Sequence, residues 1–265
     1  MNHFIEVDKD SEDNYYLVIH SGSRNLGKQV AEYYQNLAIK ALAGNTKDDI
    51  KQAVKELTKK YKESGRKNEI PQALRKLKEE YEKKHPTVPK DLCWLEGKNM
   101  EDYLHDVGVC QEFAKLNRKL MAFIILDKLG INSIESFETI HNYIDIKKGI
   151  IRKGAVSALD GEKLIIPMNM RDGSLICIGK GNPDWNYSAP HGAGRLMSRS
   201  KAKQILDLNE VKKSMKGIDT WSLSMKTIDE APQAYKPMDE IIENIKDTVD
   251  IVEIIKPVYN FKADE

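Results

Sequence analysis

The chain has 265 residues, with 42 Lys and Arg against 41 Asp and Glu, and a formal net charge of +1. A nearly neutral chain exerts no global attraction on nucleic acid, so any such binding needs a local basic patch. No apolar run is long enough to cross a bilayer and no signal-peptide pattern opens the sequence, which predicts a cytoplasmic protein without membrane contact. Three widely spaced cysteines indicate reduced thiols rather than disulfides: Cys93, Cys110 and Cys177.

Two predicted strands open the chain, at residues 4–7 and 15–19, and the second runs into His20. The small residues at 21–23 break this strand, and Gly27 precedes a predicted helix with apolar residues at helical spacing. A loop between a strand and a helix is well placed to present His20 and Arg24 to a site.

Residues 45–130 differ in texture and predict a helical insertion. Two Lys- and Glu-rich helices are predicted at residues 46–62 and 70–85, where the charges are typical of solvated helix faces. One or two further helices are predicted at residues 100–129, capped by Gly130. Their apolar positions fall on one face, which predicts that these side chains pack together: Phe113, Leu116, Leu120 and Phe123.

From residue 131 the strand-like texture returns. A predicted strand at residues 137–140 ends on His141, and residues 149–155 are typical of a basic, glycine-containing turn. Further short strands are predicted at residues 163–166, 175–178, 221–225 and 249–255, with a helix at residues 235–245. Strands at both ends of the chain and helices in the middle predict an α+β fold.

The most distinctive stretch surrounds His191. Pro190 precedes it, and Gly192, Ala193 and Gly194 follow with almost no side-chain bulk, before a basic run that suggests a helix starting close by. A histidine at a helix N-terminus beside free backbone N–H groups can meet a phosphate and act as a nucleophile toward phosphorus. The alternative is a tight turn that contains a hydrogen-bonding histidine.

Three further histidines lie in or beside strand-like segments: His3, His20 and His141. Imidazoles held by separate strands can form a transition-metal site, because zinc, manganese and iron take neutral nitrogen ligands on rigid scaffolding. Taken singly, each of them is more often a structural histidine. The spacing of these residues alone leaves both interpretations open.

The stretch SAPHGAGRLMSR at residues 188–199 resembles the nucleophile motif of the RtcB family of RNA-splicing ligases. Three other stretches resemble signatures of that family in the same order: NHFIEV at residues 2–7, HSGSRNLG at 20–27 and DEAPQAYK at 229–236. The resemblance covers essentially the whole chain and implies one RtcB-like catalytic domain over residues 1–265, without the family's N-terminal segment. It implies RtcB-like mixed sheets around a metal and nucleotide site, with the helical insertion added.

The resemblance also implies an activity. RtcB enzymes use GTP and Mn²⁺ to join an RNA 2′,3′-cyclic phosphate or 3′-phosphate end to a 5′-hydroxyl end. The histidine that matches His191 carries a covalent guanylate, and those that match His3, His20 and His141 are ligands of two Mn²⁺ ions. Expected partners are RNA with such ends, in RNA repair or tRNA splicing, and an archease-like activator or release-factor-like protein.

The guanylate pocket carries over residue by residue. A carboxylate at Glu6 suits guanine, because it can accept hydrogen bonds from the N1–H and N2–H₂ groups together; the alternative is an exposed strand residue. Met168 and Asn169 depart from the family's Pro-Gly-Ser-Met loop. The positions implied to contact the nucleotide are Asn2, Phe4, Glu6, Asn142, Pro167, Asn169, Ser174, Gly192, Ala193, Gly194, Tyr235 and Lys262.

Basic residues beside these motifs predict a phosphate-binding groove, with Arg24 and Arg195 as its principal members and Arg152 and Lys153 nearby. The alternative for the lysines is an ordinary solvated surface. Cys177 lies in an apolar strand, which favours a core position over a ligand role.

In the family, an Asp-x-x-Cys motif upstream of NHFIE supplies two further metal ligands, which have no counterpart here. Three neutral histidines carry no charge to offset two divalent cations, so we expect this chain by itself to be a poor or inactive ligase. The alternative function is therefore a nucleotide- or RNA-binding fragment that does not ligate. A histidine metallohydrolase is a third interpretation, which leaves Glu6 and the glycine-flanked His191 unexplained.

Overall fold

The computed structural model describes residues 3–42, 47–84 and 88–262. Within these ranges the helices are α1 (Arg24–Leu42), α2 (Lys47–Glu63), α3 (Ile70–Lys84), α4 (Gly97–Leu129), α5 (Arg199–Ile205), α6 (Leu208–Ser214) and α7 (Met238–Asn244). The strands are β1 (Phe4–Lys9), β2 (Tyr15–His20), β3 (His141–Asp145), β4 (Ile150–Ser157), β5 (Lys163–Asn169), β6 (Gly173–Gly179), β7 (Ser188–Pro190), β8 (Asp219–Thr220) and β9 (Val249–Lys262).

The strands form two sheets, and the α+β class is confirmed. The larger sheet has the order β2-β1-β9-β6-β5, antiparallel throughout, with β8 added parallel to β9. The smaller sheet has the order β3-β4-β7, also antiparallel. Strand β9 is longer than the predicted 249–255, and its last residues pair with β1, so that Lys262 lies opposite Phe4.

The chain divides into two compact units. The first contains Met1–Ser23 and Gln111–Glu265, and the second is Arg24–Cys110. The second unit begins at Arg24 rather than at residue 45, because α1 belongs to it. Inside this unit, the Tyr34 hydroxyl donates to Asp106 at 2.8 Å, and the rings of Tyr34 and Tyr103 lie 5.1 Å apart.

The first unit has two buried apolar clusters. One lies among β4, β5, β6, β7 and α7, with Val156, Leu164 and Ile245 almost fully buried. Cys177 is fully buried there, and burial raises the pKa of its thiol to about 12, which agrees with the predicted core position. The second cluster joins Met170 at the end of β5 to Val211 and Met215 around α6 and to Ile228.

Several predicted elements differ from the structure. The helix expected after Gly27 starts at Arg24 and includes Gly27. Residues 137–140 are not a strand, so His141 begins β3 rather than ending a strand, and residues 150–155 extend as β4 after a turn at Gly149. Residues 221–225, expected to form a strand, do not form one; the nearby strand β8 contains only Asp219–Thr220. The predicted helix ends Thr46 and His85 lie outside the described residues.

Two differences among the helices have a clear cause. Helix α7 starts at Met238 rather than at residue 235, because Pro237 disfavours a helical conformation at the residue before it. Helix α4 is one continuous helix that ends at Leu129, and Gly130 follows it with a φ of +65°, as expected of a glycine cap. Its predicted apolar face is exposed, however: Phe113, Leu116, Leu120 and Phe123 keep 43–65% of their surface in solvent. In the described part of the chain, no helix combines the length and apolarity that a bilayer crossing needs.

Candidate active site

Three of the predicted site histidines lie side by side in the first unit. His20 ends β2, His141 begins β3 and His191 follows β7. The ring centroids of His20 and His141 are 5.2 Å apart, and those of His141 and His191 are 4.9 Å apart. The two Nε2 atoms of His20 and His141 face each other at 3.5 Å. The structure therefore brings strand ends from both sheets to one row of imidazoles.

Two of these imidazoles are held neutral. Burial lowers the pKa of His20 to about 3, and the neighbouring His141 and His3 lower it further. Burial, followed by the neighbouring His191, lowers the pKa of His141 to about 4. Both rings therefore present nitrogen lone pairs at neutral pH, the form in which imidazole binds a metal ion.

The tautomer of His191 is fixed by the backbone of β4. Its Nδ1 lies 2.8 Å from the carbonyl oxygen of Gly154, which can only accept, so Nδ1 carries the proton and donates. In the neutral imidazole the lone pair is therefore on Nε2. The His191 backbone N–H also donates to this oxygen at 3.3 Å. Gly154 was not singled out from the sequence, and its φ of +68° suits glycine.

Asn142 supports the same residue from β3. It adopts a φ of +54° where the pairing of β3 with β4 shifts register between His141 and Tyr143. Asparagine tolerates this left-handed conformation better than most residues. Its Oδ1 accepts a hydrogen bond from the Gly154 N–H at 2.7 Å. Asn142 thus braces the part of β4 that orients His191, while its predicted nucleotide contact stays a prediction.

The glycines after His191 allow a close approach to β5. A Cβ on Gly192 would lie 2.9 Å from the carbonyl oxygen of Pro167, which also accepts from the Ala193 N–H at 3.1 Å. Gly194 has a φ of +72°. The helix expected beside His191 is wrong: α5 starts only at Arg199, capped by the Ser198 hydroxyl. Between His191 and α5 the chain first pairs with another segment, through a bridge between Arg195 and Tyr235.

Glu6 lies inside the protein rather than on an exposed strand face. It is 4% exposed, and the Asn260 amide Nδ2 donates to its Oε1. Burial raises the pKa of Glu6 to about 7, against the opposing effects of Lys262 and Asn260. The alternative of an exposed strand residue is therefore wrong.

Lys262 and Phe4 connect Glu6 to the histidines. The two residues are partners across β9 and β1, and the Lys262 Nζ lies 5.6 Å from the centroid of the Phe4 ring. That ring stacks on His20 with centroids 5.0 Å apart. Burial lowers the pKa of Lys262, and Glu230 and Glu6 oppose this shift. A buried cation, an aromatic face and a row of imidazoles thus form one continuous site.

Glu230 organises the opposite side and was not assigned a role from the sequence. Its carboxylate accepts from the Tyr235 hydroxyl and from Arg195 Nη1 at 3.1 Å, and it lies 3.8 Å from Lys262 Nζ. The Arg195 guanidinium also lies 5.0 Å from the centroid of the Tyr235 ring. Burial, and then Glu230, raise the pKa of Tyr235. Arg195 is therefore already ion-paired, and its predicted phosphate contact stays a prediction.

The other predicted residues are less directly connected. Asn169 holds the β5–β6 hairpin: its Oδ1 accepts from the N–H groups of Arg171 and Asp172, so a nucleotide contact would compete with the turn. Ser174 is fully buried on β6, and its Oγ has no hydrogen-bond partner among the described residues. Arg24 opens α1 in the second unit. Asn2 lies outside the described residues.

Arg152 does not line a basic groove. It is 2% exposed on β4, where it donates to Ser188 Oγ and to the Tyr143 hydroxyl, each at 2.9 Å. Its charge lies 3.5 Å from Asp145. The predicted contribution of Arg152 to phosphate binding is therefore wrong, because the guanidinium is enclosed by the smaller sheet.

The chemistry of the histidine row fits a transition-metal ion in part. Two nitrogen ligands of one tetrahedral ion, each about 2.0–2.1 Å from it, lie about 3.3–3.4 Å apart. The facing Nε2 atoms of His20 and His141 are close to that separation. Over the part of the chain that the structure describes, no group of three or more His, Cys, Asp or Glu side chains is arranged to hold a metal.

Comparison with known proteins identifies the family. The family model described as tRNA-splicing ligase RtcB matches residues 1–263. The chain belongs to the RtcB family. Three of the RtcB motifs seen in the sequence help to build the site: residues 4–7 of the first begin β1, residues 188–199 hold His191, and residues 229–236 hold Glu230 and Tyr235.

Curated relatives come from bacteria and archaea. The RNA-splicing ligase RtcB of Escherichia coli K12 is 30% identical over 229 residues, covering 79% of this chain and 47% of the relative. The tRNA-splicing ligase RtcB of Aeropyrum pernix is 27% identical, covering 78% and 43%. That of Nanoarchaeum equitans is 27% identical, covering 76% and 41%. The chain spans less than half the length of these RtcB relatives.

Proposed function

We propose that this chain binds GTP and accepts a guanylate on His191. In this reaction the Nε2 lone pair attacks the α-phosphorus, an N–P bond forms, and the bond to the β-phosphate oxygen breaks to release pyrophosphate. The observation that carries the proposal is the hydrogen bond from Nδ1 to the Gly154 carbonyl. In the neutral imidazole this bond places the lone pair on Nε2, so the attack needs no separate base.

Glu6, Lys262 and Phe4 would hold the nucleotide. A carboxylate accepts from the guanine N1–H and N2–H₂ groups, an ammonium faces phosphate, and an aromatic ring offers an apolar face. Glu230 supports this role indirectly, since it anchors Tyr235 and lies beside Lys262. Ser174 and Asn260 carry buried polar oxygens without hydrogen-bond partners among the described residues, as expected where a polar ligand is to be received.

His20 and His141 are the residues that would hold a divalent metal ion, for which we propose Mn²⁺, with His3 as a further candidate. When bound, such an ion offsets phosphate charge during attack at phosphorus. The contribution of the chain is to keep both imidazoles neutral by burial and to stack His20 on Phe4.

The names of the relatives support RNA as the acceptor of the guanylate. We propose that a 2′,3′-cyclic phosphate is opened by water to a 3′-phosphate, which takes the guanylate from His191 and frees the imidazole. A 5′-hydroxyl then attacks the activated 3′-phosphate, forms the new phosphodiester and releases GMP. An archease-like activator or release-factor-like partner belongs to the same proposal.

A second candidate function is nucleotide or RNA binding without ligation. It is favoured by the small number of metal ligands. Among the described residues two imidazole nitrogens face each other, and no group of three or more His, Cys, Asp or Glu side chains is arranged to hold a metal ion. In that case GTP would bind at Glu6 and Lys262, but guanylate would not be transferred to His191. The two candidates differ in covalent labelling and share reversible binding.

The test is incubation with Mn²⁺ and GTP that carries a radiolabelled α-phosphate. The wild-type chain should take up an acid-labile label, and His191→Ala should take up none. His105→Ala is the matched control, because His105 has a side chain 76% exposed in the second unit and should label normally. Labelling of His191→Ala would contradict the assignment. Reversible GTP binding by the wild type without any label would favour the binding function.

A further inference from the structure

Asn260 stands out because it is a fully buried amide next to Glu6. It lies on β9, directly opposite Glu6 of β1 in the antiparallel register, and has no exposed surface. Thr220 of β8 lies opposite it on the other side. A polar side chain in the middle of three strands needs hydrogen-bond partners, because a buried polar group without one loses the hydrogen bonds that water gave it in the unfolded chain.

Only one end of the Asn260 amide has a hydrogen-bond partner in the described part of the chain. Its Nδ2 donates to Glu6 Oε1, and this bond fixes which way the amide points. Its Oδ1 is buried and receives no hydrogen bond there. Since Oδ1 and Nδ2 share one planar group, an acceptor is held next to the Glu6 carboxylate and awaits a donor.

The position of this acceptor relates it to the proposed nucleotide site. Lys262 follows two residues along the same strand, so its side chain lies on the same side as Asn260, and its Nζ contacts the face of Phe4. The backbone N–H of Lys262 donates to Ser222 Oγ at 2.7 Å, which holds this end of β9 in place. Asn260 thus belongs to the wall that carries Glu6 and Lys262.

We propose that Asn260 is a specificity-determining residue that reads the donor edge of guanine together with Glu6. This inference rests on the proposed GTP function. Guanine presents three N–H hydrogens on one edge, one on N1 and two on the exocyclic N2. The Glu6 carboxylate can accept from N1–H and from one N2 hydrogen, and Asn260 Oδ1 can accept from the other. Adenine presents an acceptor at N1 and no amino group at C2. Reaching Oδ1 requires the side chains that seal it from solvent to move aside as the base enters.

Asn260 could instead serve only to orient the Glu6 carboxylate. Binding of inosine nucleotides distinguishes this role from direct contact with the base. Hypoxanthine keeps the N1–H of guanine and lacks the N2 amino group. If Asn260 Oδ1 accepts from that amino group, its loss should affect GTP and spare ITP. If Asn260 only orients the Glu6 carboxylate, GTP and ITP should weaken together.

The experiment measures equilibrium binding of GTP, ITP and ATP to the wild type and to Asn260→Val, a change of similar size without polar atoms. We expect the variant to lose roughly 5- to 100-fold in affinity for GTP and much less for ITP, so that the preference for GTP over ITP collapses. Asn209→Val, at an exposed position of α6, is the control and should keep the wild-type preference.

Melting temperatures verify that the variants fold, and Asn260→Ser provides a second test with the same expected direction should the valine variant unfold. Equal losses for GTP and ITP, or unchanged binding of both, would overturn the role of Asn260 while leaving GTP binding intact. A wild-type chain that binds GTP no better than ATP would overturn the proposed guanine site and this inference with it.

Discussion

Asp8 is sealed from solvent two residues along β1 from Glu6, on the same face of the strand. Neither of its carboxyl oxygens has a hydrogen-bond partner in the described residues. Burial, and then the neighbouring Glu6, raise the pKa of Asp8 to about 8. An ordinary aspartate ionises near pH 4, so in the folded protein this group keeps its proton well above the pH at which the unfolded chain loses it.

Asp8→Asn should therefore change how stability depends on pH. Between about pH 4 and pH 8 the folded state binds a proton at Asp8 that the unfolded state lacks, so the wild type loses stability as pH rises, by at most about 1.4 kcal/mol per pH unit. The variant lacks this proton. In urea unfolding, the free energy of unfolding of the variant minus that of the wild type should therefore increase from pH 5 to pH 8.

Asp219→Asn, at an exposed position of β8, is the control and should differ from the wild type by a constant amount over the same range. Subtracting the wild type at each pH removes the opposite trend of His20 and His141, which destabilise the fold as pH falls below about 6.5. A constant difference for Asp8→Asn would mean that Asp8 is ionised in the folded protein.

Glu6→Ala tests guanine recognition at the same strand. Removing the carboxylate leaves two base donors without acceptors in a closed site, a loss of roughly 1–3 kcal/mol for GTP. Binding of ATP, which does not use these donors, should barely change. Glu12→Ala, in the exposed β1–β2 turn, should bind both nucleotides as the wild type does. Equal losses for GTP and ATP in Glu6→Ala would assign Glu6 a structural role.

At the scale of elements, the site depends on how closely the strands approach each other. Gly173 begins β6 with a φ of +83°, and a Cβ there would lie 1.9 Å from the backbone oxygen of Ile255 on β9. Gly161 has a similar φ of +75° but has nothing within 4 Å of its Cβ position. Comparing the two glycines therefore distinguishes the cost of a left-handed backbone conformation from the cost of a clash between strands.

Gly173→Ala should therefore cost more than Gly161→Ala. The left-handed conformation alone costs a non-glycine residue about 1–2 kcal/mol, which is the expected loss at Gly161. At Gly173 the clash with a backbone atom adds to this loss, because β6 or β9 must shift. Chemical denaturation of both variants measures the difference. Equal losses would show that the β6–β9 pairing yields to a methyl group without cost.

Local sequence patterns predicted the helices and strands better than they predicted the burial and tertiary contacts of the side chains. The strand before His20, the charged helices and the Gly130 cap follow from periodicity and capping, which act over a few residues. The burial of Glu6 could not be predicted in this way, because its partners Asn260 and Lys262 lie at the other end of the chain. Periodicity likewise predicted that Phe113 and Leu116 share one face of α4, but it could not predict that this face is exposed to solvent.

For the site residues, too, local motifs were predictable and contacts between distant parts of the chain were not. Motifs pointed to His191, but the Gly154 carbonyl that sets its tautomer comes from β4, which the sequence suggested was a turn. Glu230 lies within the DEAPQAYK motif, and an acidic residue in a motif that also needs a partner for Arg195 is a signal that the sequence contains. Nothing near Asn260 in the sequence indicated that its amide faces Glu6.

At the scale of the whole molecule, the charges are balanced overall and concentrated locally. Lys262, Arg195 and Arg199 surround the buried Asp229 and Glu230, while the chain as a whole carries +1. The proposed guanylate site lies in the first unit, on segments from both ends of the sequence. The proposed chemistry of this site depends on one point, which of the two imidazole nitrogens of His191 is left to react.

That point is tested by NMR of the chain with ¹⁵N-labelled histidine after incubation with GTP and Mn²⁺. The hydrogen bond from Nδ1 to Gly154 predicts a single guanylate whose phosphorus is bonded to Nε2 of His191, visible as a ³¹P–¹⁵N coupling to that nitrogen. His105, exposed in the second unit, serves as an internal reference and should show no coupling. Phosphorus on Nδ1 of His191, or on any other residue, would contradict the proposed site.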